Sequence, residues 1–285
     1  MTIQTAFTKI ISSLEPIHGQ REAANIAHLL MEHVTGMSRM DRIVYKDKGL
    51  EPAQEMQLEE GLQALLAHQP IQYVTGSSWF YGMELNVNGH VLIPRPETEE
   101  LVEWIVDDVR TGRQAGHKLL DIGTGSGAIP VALKKELSAA EVWAVDVSEG
   151  ALETAKANAV KQGFDVHFEL MNILDTKATA SLPSFDIIVS NPPYICEQEQ
   201  AGMQEHVVAY EPSIALFVPD NDALLFYREI GLLGKQKLHT GGALYFEINE
   251  AFGEETMQLL REQGYKDVVL KKDIFGKDRM IKAVI

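Results

Sequence analysis

From Lys118 to the C-terminus, short apolar runs alternate with stretches of helical periodicity. The runs are 119–122, 142–145, 166–170, 185–189, 243–248, 266–270 and 280–285. Helical stretches 128–137, 150–162, 223–237 and 251–263 lie among the first six, with one loop-rich segment. Such alternation leaves few folds open. Each strand returns parallel to its neighbour through a crossover, and the helices cover both faces of one sheet. The last two runs are joined by a turn around Gly276, too short for a crossover. The final strand should therefore run antiparallel. The expected class is α/β, with a seven-stranded, mostly parallel, doubly wound sheet.

The first 75 or so residues read differently. Within 20–34, Ala23, Ile26, Ala27, Leu30 and Met31 fall on one stripe at helical spacing. Leu58, Leu62, Leu65 and Leu66 repeat the pattern within 57–68. Pro52 suits a first helical turn, and Pro70 should stop that helix. No β-branched alternation interrupts, so an N-terminal helical bundle domain is expected. The texture changes near Gln72. Ser78-Trp79-Phe80-Tyr81 and Glu84-Leu85-Asn86-Val87 flank Gly82 as a short hairpin would. Two prolines then hold Leu92-Ile93-Pro94-Arg95-Pro96-Glu97 extended, and Thr98 is placed to cap a helix over 99–109.

The first strand runs into Asp121-Ile122-Gly123-Thr124-Gly125-Ser126-Gly127. Glycines here allow positive φ and let backbone approach a ligand. The following helix aims its N–H groups at the loop. Asp146 ends the second strand, where a carboxylate can accept both ribose hydroxyls. The spacing is Gly-x-Gly-x-Gly, whereas dinucleotide sites usually show Gly-x-Gly-x-x-Gly to hold a pyrophosphate. A structural tight turn and a dinucleotide enzyme both remain open on the loop alone. With the seven-strand order and its antiparallel end, the arrangement resembles the Rossmann-like class I methyltransferases, which depend on S-adenosylmethionine. Acidic residues around the loop suit that cofactor's cationic sulfonium and ammonium. Asn172 follows the third strand, where a contact to adenine or a plain turn residue would sit.

The fourth strand ends in Asn191-Pro192-Pro193-Tyr194. The two prolines cannot continue a ladder and force an extended exit from the sheet. A planar nitrogen is a poor nucleophile because its lone pair is delocalised. A site that methylates one must hold the NH₂ with acceptors so that it can pyramidalise. The Asn191 side-chain oxygen and the Pro192 carbonyl can take the two N–H groups, and Tyr194 can supply a flat face. The tetrapeptide alone does not separate an amide from the amino group of adenine or cytosine.

Taken together, these motifs resemble the release-factor glutamine methyltransferases, the HemK-type family. The matching pieces are Gln72-Tyr73-Val74-Thr75-Gly76, Ile93-Pro94-Arg95-Pro96-Glu97-Thr98-Glu99, the loop from Asp121 to Gly127, and Asn191-Pro192-Pro193-Tyr194-Ile195. Glu211-Pro212 with Ala215-Leu216 is a weaker match. The resemblance implies methyl transfer from S-adenosylmethionine to the glutamine of the Gly-Gly-Gln motif in peptide-chain release factors, leaving S-adenosylhomocysteine. It implies that Gly123, Thr124, Gly125, Ser126, Gly127, Asp146, Asn172 and Asn191 line the cofactor site. It implies that Asn191, Pro192, Pro193 and Tyr194 bind the target. Arg95 and Glu97 would brace the helical domain against the catalytic one. The expected domains are 1–75 for release-factor recognition, 76–98 as hairpin and linker, and 99–285 for methyl transfer. Departures fall at Asn172-Ile173, Asn221-Asp222-Ala223-Leu224 and Glu247-Ile248-Asn249, where the family often has Asp plus a bulky residue, Asp-Gly-Leu and Glu-Ile-Gly.

Charge bears on the alternatives. With 25 Lys and Arg against 41 Asp and Glu, the formal net charge is −16. A nucleic-acid amino-methyltransferase would need a basic groove, so nucleic acid is disfavoured as the direct substrate. An oxidoreductase would share the glycines and Asp146 but leave the tetrapeptide unexplained. A binding module without catalysis would not need it. Cys196 is the single cysteine and reads as packing. The histidine spacings favour no metal site. No run approaches the roughly 18 apolar residues that a membrane span needs, so a cytoplasmic protein with no membrane partner is expected.

Overall fold

The computed structural model describes residues 1–112, 117–203 and 205–285. They form two compact units. One is Met1–Ser77 with a short helix, Glu205–Tyr210; the other is Ser78–Met203 and Glu211–Ile285.

In the helical unit, α1 (Ile3–Thr35) is two segments meeting at a kink at Gly19. The Thr2 hydroxyl caps its start by accepting from the Thr5 N–H. α2 (Arg39–Val44), α3 (Pro52–Leu66) and α4 (Ile71–Thr75) follow. The stripe Ala23, Ile26, Ala27, Leu30 and Met31 is buried in one core with Leu58, Leu62 and Leu65. Each such leucine contributes about 1.5–3 kcal/mol on burial. Pro70 does not stop α3, which has already ended at Leu66; it stands instead at the start of α4.

The second unit opens with a hairpin of β1 (Ser77–Phe80) and β2 (Met83–Asn86). Tyr81 and Gly82 both take positive φ, 51° and 68°. That is the turn whose twist matches paired strands, and glycine takes it without cost. Then come α5 (Pro96–Thr111), β3 (Lys118–Ile122), α6 (Ala128–Glu136), β4 (Glu141–Asp146) and α7 (Glu149–Gln162). β5 (His167–Leu170), α8 (Thr176–Thr179), β6 (Phe185–Ser190) and β7 (Ile195–Cys196) follow. The helix Glu205–Tyr210 is α9, and α10 (Ser213–Leu216) and β8 (Phe217–Val218) come next. α11 (Leu225–Lys237), β9 (Leu238–Glu247), α12 (Gly253–Glu262), β10 (Lys266–Lys272) and β11 (Asp278–Val284) complete the chain.

The seven-stranded sheet has the order β10-β11-β9-β6-β3-β4-β5. β11 is antiparallel to both β9 and β10, as the short turn at Gly276 requires; the other pairs are parallel. Successive strand residues face opposite layers. Leu119, Val142, Ile187 and Val189 pack with Leu101, Val102, Ile105, Val131 and Leu133 on one face. Leu120, Val145, Ile188 and Leu244 pack with Tyr227, Ile230, Met257 and Leu260 on the other. Strand order reverses between β3 and β6, which leaves a crevice beyond their carboxyl ends.

Two boundaries differ from expectation. β9 starts at Leu238, well before the apolar run at Ala243, because His239, Thr240 and Gly241 are exposed and carry no hydrophobic signal. α5 starts at Pro96, with Arg95 at its N-cap position and no side-chain cap. Thr98 is therefore not a cap. It lies inside the first turn, buried, and its hydroxyl goes elsewhere.

Candidate active site

A cavity of about 280 Å³ opens at the carboxyl ends of β3, β4 and β6. Gly123, Thr124, Gly125, Ser126, Asp146, Asn172, Asn191, Pro192 and Pro193 all line it. Residues anticipated from four separate stretches of sequence thus share one wall. Gly127 and Tyr194 are not among the lining residues.

The loop after β3 is held by backbone. Gly123 and Thr124 donate to the Val145 carbonyl at 2.9 and 3.1 Å, and Gly127 donates to the Thr124 carbonyl at 2.9 Å. Gly127 sits at the N-cap of α6 with φ 78°, and a Cβ there would stand 3.0 Å from the Ala155 Cβ. Its lack of a side chain lets α6 and α7 approach. Asn158 of α7, buried, ties the loop to the hairpin. Its Nδ2 donates to the Ser126 and Asn86 carbonyls, both at 2.9 Å, and its Oδ1 accepts from the Asn86 N–H at 2.7 Å. Its signal in sequence is one amide on a stripe of Ala151, Leu152, Ala155 and Ala159.

Asp146 accepts from the Gly125 N–H at 2.8 Å and from the Ser148 N–H at 2.9 Å. The carboxylate is thereby fixed on the cavity wall. Burial raises its pKa above the usual carboxylate range, opposed by those N–H groups. Beneath the loop, Asp121 is 1% exposed, and burial pushes it up to about 7, with the nearby Thr124 hydroxyl opposing and Asp146 adding. Neither Asp121 oxygen, nor the Thr124 hydroxyl, reaches hydrogen-bonding geometry with any partner. Asn172 is exposed and its Oδ1 accepts from the Leu174 N–H at 3.0 Å, closing a local turn.

The tetrapeptide leaves β6 under tight control. The Ser190 hydroxyl donates to the Ile122 carbonyl at 2.7 Å, joining the ends of β6 and β3. After Tyr194, β7 pairs with β8. Asn191 donates through Nδ2 to Thr98 Oγ1 at 3.4 Å. Among the described residues, neither Asn191 Oδ1 nor the Pro192 carbonyl accepts a hydrogen bond. Tyr194 turns its hydroxyl to Glu247 Oε1 at 3.4 Å. Glu247 is 2% exposed and also accepts from the Thr98 hydroxyl at 2.6 Å. Burial raises its pKa, opposed by the Thr98 hydroxyl and the Arg279 charge. Sequence reasoning passed over Thr98 and Glu247 in these positions. The signals were Thr98 within the stretch Ile93 to Glu99 and a carboxylate inside the apolar run that ends β9.

Arg95 forms an ion pair with the buried Glu211, one guanidinium nitrogen donating to both carboxylate oxygens at 2.7 and 2.9 Å. Both residues belong to the same unit, so this contact is not the interdomain brace expected of Arg95. Cys196 is buried in β7, and burial raises its thiol. Among the described residues, no cluster of His, Cys, Asp or Glu could hold a metal ion, and no helix is long and apolar enough to cross a membrane.

The chemistry of this wall is selective. Among the described residues, its polar lining is the Asp146 carboxylate, the amides Asn172 and Asn191, several Ser and Thr hydroxyls and the His90 imidazole, and its one guanidinium, Arg95, is committed to Glu211. Among the described residues, the lining offers no uncommitted lysine or arginine to a pyrophosphate, whereas a cationic ligand with hydroxyls would find acceptors.

Comparison with known proteins agrees. The methyltransferase small domain family matches residues 99–210, and the PrmC N-terminal domain family matches residues 6–76. A release factor glutamine methyltransferase of Flavobacterium psychrophilum is 44% identical over 283 residues, 99% of each chain. One from Bacteroides thetaiotaomicron is 42% identical over 96% of this chain and 97% of its own. Among solved structures, a methyltransferase from Pyrococcus furiosus superposes with a TM-score of 0.50, covering 71% of this chain and 89% of its own at 18% identity, which speaks to the fold.

Proposed function

The chain belongs to the release factor glutamine methyltransferase family, and from that premise we propose that its cavity holds S-adenosylmethionine while Asn191 to Tyr194 present a release-factor glutamine to it. The observation that carries this is the pair of uncommitted acceptors, Asn191 Oδ1 and the Pro192 carbonyl, at the rim of a glycine-walled cavity.

The cofactor fits the residues present. Asp146 is fixed where it can accept ribose hydroxyls. Gly123 and Gly125 leave open space where side chains would stand. Asp121 and Thr124 leave buried polar atoms without a protein partner beneath the loop, on the side where a polar ligand would bind. Bound there, S-adenosylmethionine supplies an electrophilic methyl group on its sulfonium.

The protein's own part is to make an amide nitrogen nucleophilic. Asn191 Oδ1 and the Pro192 carbonyl take one N–H each of the target NH₂. This draws the nitrogen out of conjugation and aims its lone pair across the cavity. As positive charge develops on nitrogen, both hydrogen bonds strengthen, which is selective stabilisation of the transition state. Fixing the geometry beforehand removes the entropic cost of alignment. Methyl transfer would leave the amide nitrogen cationic, with both its hydrogens and the new methyl; that cation is strongly acidic and loses one proton to give the neutral N-methylamide, so no dedicated base is needed. Pro192 and Pro193 hold the loop extended without competing N–H donors.

The helical unit would add contacts to the release factor, and a net charge of −16 disfavours nucleic acid as the direct substrate. A substrate in the translation machinery supports a cytoplasmic location. The test offers radiolabelled S-adenosylmethionine with either an unmodified release factor or an adenine-rich duplex. Label on the release factor alone supports the assignment. Label on the duplex alone overturns it in favour of amino-group methylation of a base.

A further inference from the structure

Resting on that function, we propose that Thr98 and Glu247 are positioning residues that fix which way round Asn191 presents its side-chain amide. An asparagine can offer either its oxygen or its NH₂ to a neighbour. Only the oxygen can accept from the target NH₂; the flipped amide would set donor against donor. The structure carries a device that selects one orientation. Glu247 Oε2 accepts the Thr98 hydroxyl at 2.6 Å. With its hydrogen committed there, Thr98 Oγ1 is left as an acceptor, and it takes Asn191 Nδ2 at 3.4 Å. Asn191 Oδ1 is thereby turned away from Thr98 and left without an internal donor.

The same carboxylate reaches the other end of the tetrapeptide. Glu247 Oε1 accepts the Tyr194 hydroxyl at 3.4 Å. Asn249, two residues on, donates through Nδ2 to the Tyr194 carbonyl at 3.2 Å, and its own N–H donates to the Tyr227 hydroxyl at 3.3 Å. Thr98, Glu247 and Asn249 are 5%, 2% and 8% exposed. A buried carboxylate is costly to keep, and an apolar residue would serve packing better. Here it anchors Asn191 through Thr98 and Tyr194 directly, so one group fixes both ends of Asn191-Pro192-Pro193-Tyr194. Glu247 does not line the cavity, so it acts through these partners.

The test compares Thr98→Val, which keeps shape and removes the hydroxyl, with Thr98→Ser, which keeps the hydroxyl. Steady-state kinetics with a release factor, cofactor calorimetry and thermal melting are measured on each. Misaligning a reacting group costs about 10²-fold in rate. Thr98→Val should lose about that much in kcat while its cofactor Kd stays near that of the wild type. Thr98→Ser should recover most of the loss. Glu247→Gln, which can no longer only accept, should reproduce the Thr98→Val loss with a folded melting profile. Unchanged kcat in Thr98→Val, or equal losses in Val and Ser, would overturn the relay. A wild-type chain that binds cofactor and methylates no release factor would overturn the function beneath it instead.

Discussion

Asn191 and Asp146 divide the work at the level of single residues. Asn191→Ala removes one acceptor from the reacting nitrogen and leaves the β6 exit held by Ser190. Turnover should fall by about 10²–10³ with the fold intact, the usual cost of losing a preorganised polar partner. Single-turnover rates at saturating cofactor would show it. Asp146→Ala removes the fixed carboxylate and frees the Gly125 N–H. Cofactor affinity should drop about 10–100-fold, since hydrogen bonds to charged groups contribute about 1.5–3 kcal/mol; calorimetry reads this directly. Both residues were legible in sequence because each closes an apolar run at the end where such sheets bind ligands. Thr98 and Glu247 were not. They are 149 residues apart, and nothing local marks one as the partner of the other. Thr98 even carried a misleading signal, since a threonine before an acidic, periodic stretch reads as an N-cap.

The glycine loop and the helix behind it act as one element. Gly127→Ala would force a left-handed φ on alanine, at roughly 1–2 kcal/mol, and push its methyl against Ala155. The melting temperature should fall by several degrees, with cofactor affinity reduced as the loop shifts. The alternation of runs and helices revealed the sheet and its antiparallel last strand, because burial on two faces writes a strong period into the chain. The first residues of β9 stayed hidden because His239, Thr240 and Gly241 are exposed and fall where the register with β6 shifts, between Leu238 and Ala243. Asn158 stayed hidden for the opposite reason. It is buried on an apolar face, and its role depends on the Asn86 and Ser126 carbonyls that the fold brings to it.

The molecule's overall stability also depends on pH through Asp121. Its folded pKa, about 7, lies above its ordinary value of 3.8. Between those values the folded chain holds a proton that the unfolded chain has released. Stability should therefore decline as pH rises through that window and level off above it. Asp121→Asn should flatten the decline and melt higher than the wild type at pH 8, with little difference at pH 4; scanning calorimetry at both values checks the sign. The central claim, methyl transfer to a glutamine amide, is tested most directly by locating the product atom. An unmodified release factor is incubated with the chain and S-adenosylmethionine, digested, and sequenced by tandem mass spectrometry. A single added methyl on the side-chain amide of the Gly-Gly-Gln glutamine, absent with Asn191→Ala over the same interval, is the predicted result. A methyl on any other residue, or an equal yield from Asn191→Ala, would contradict it.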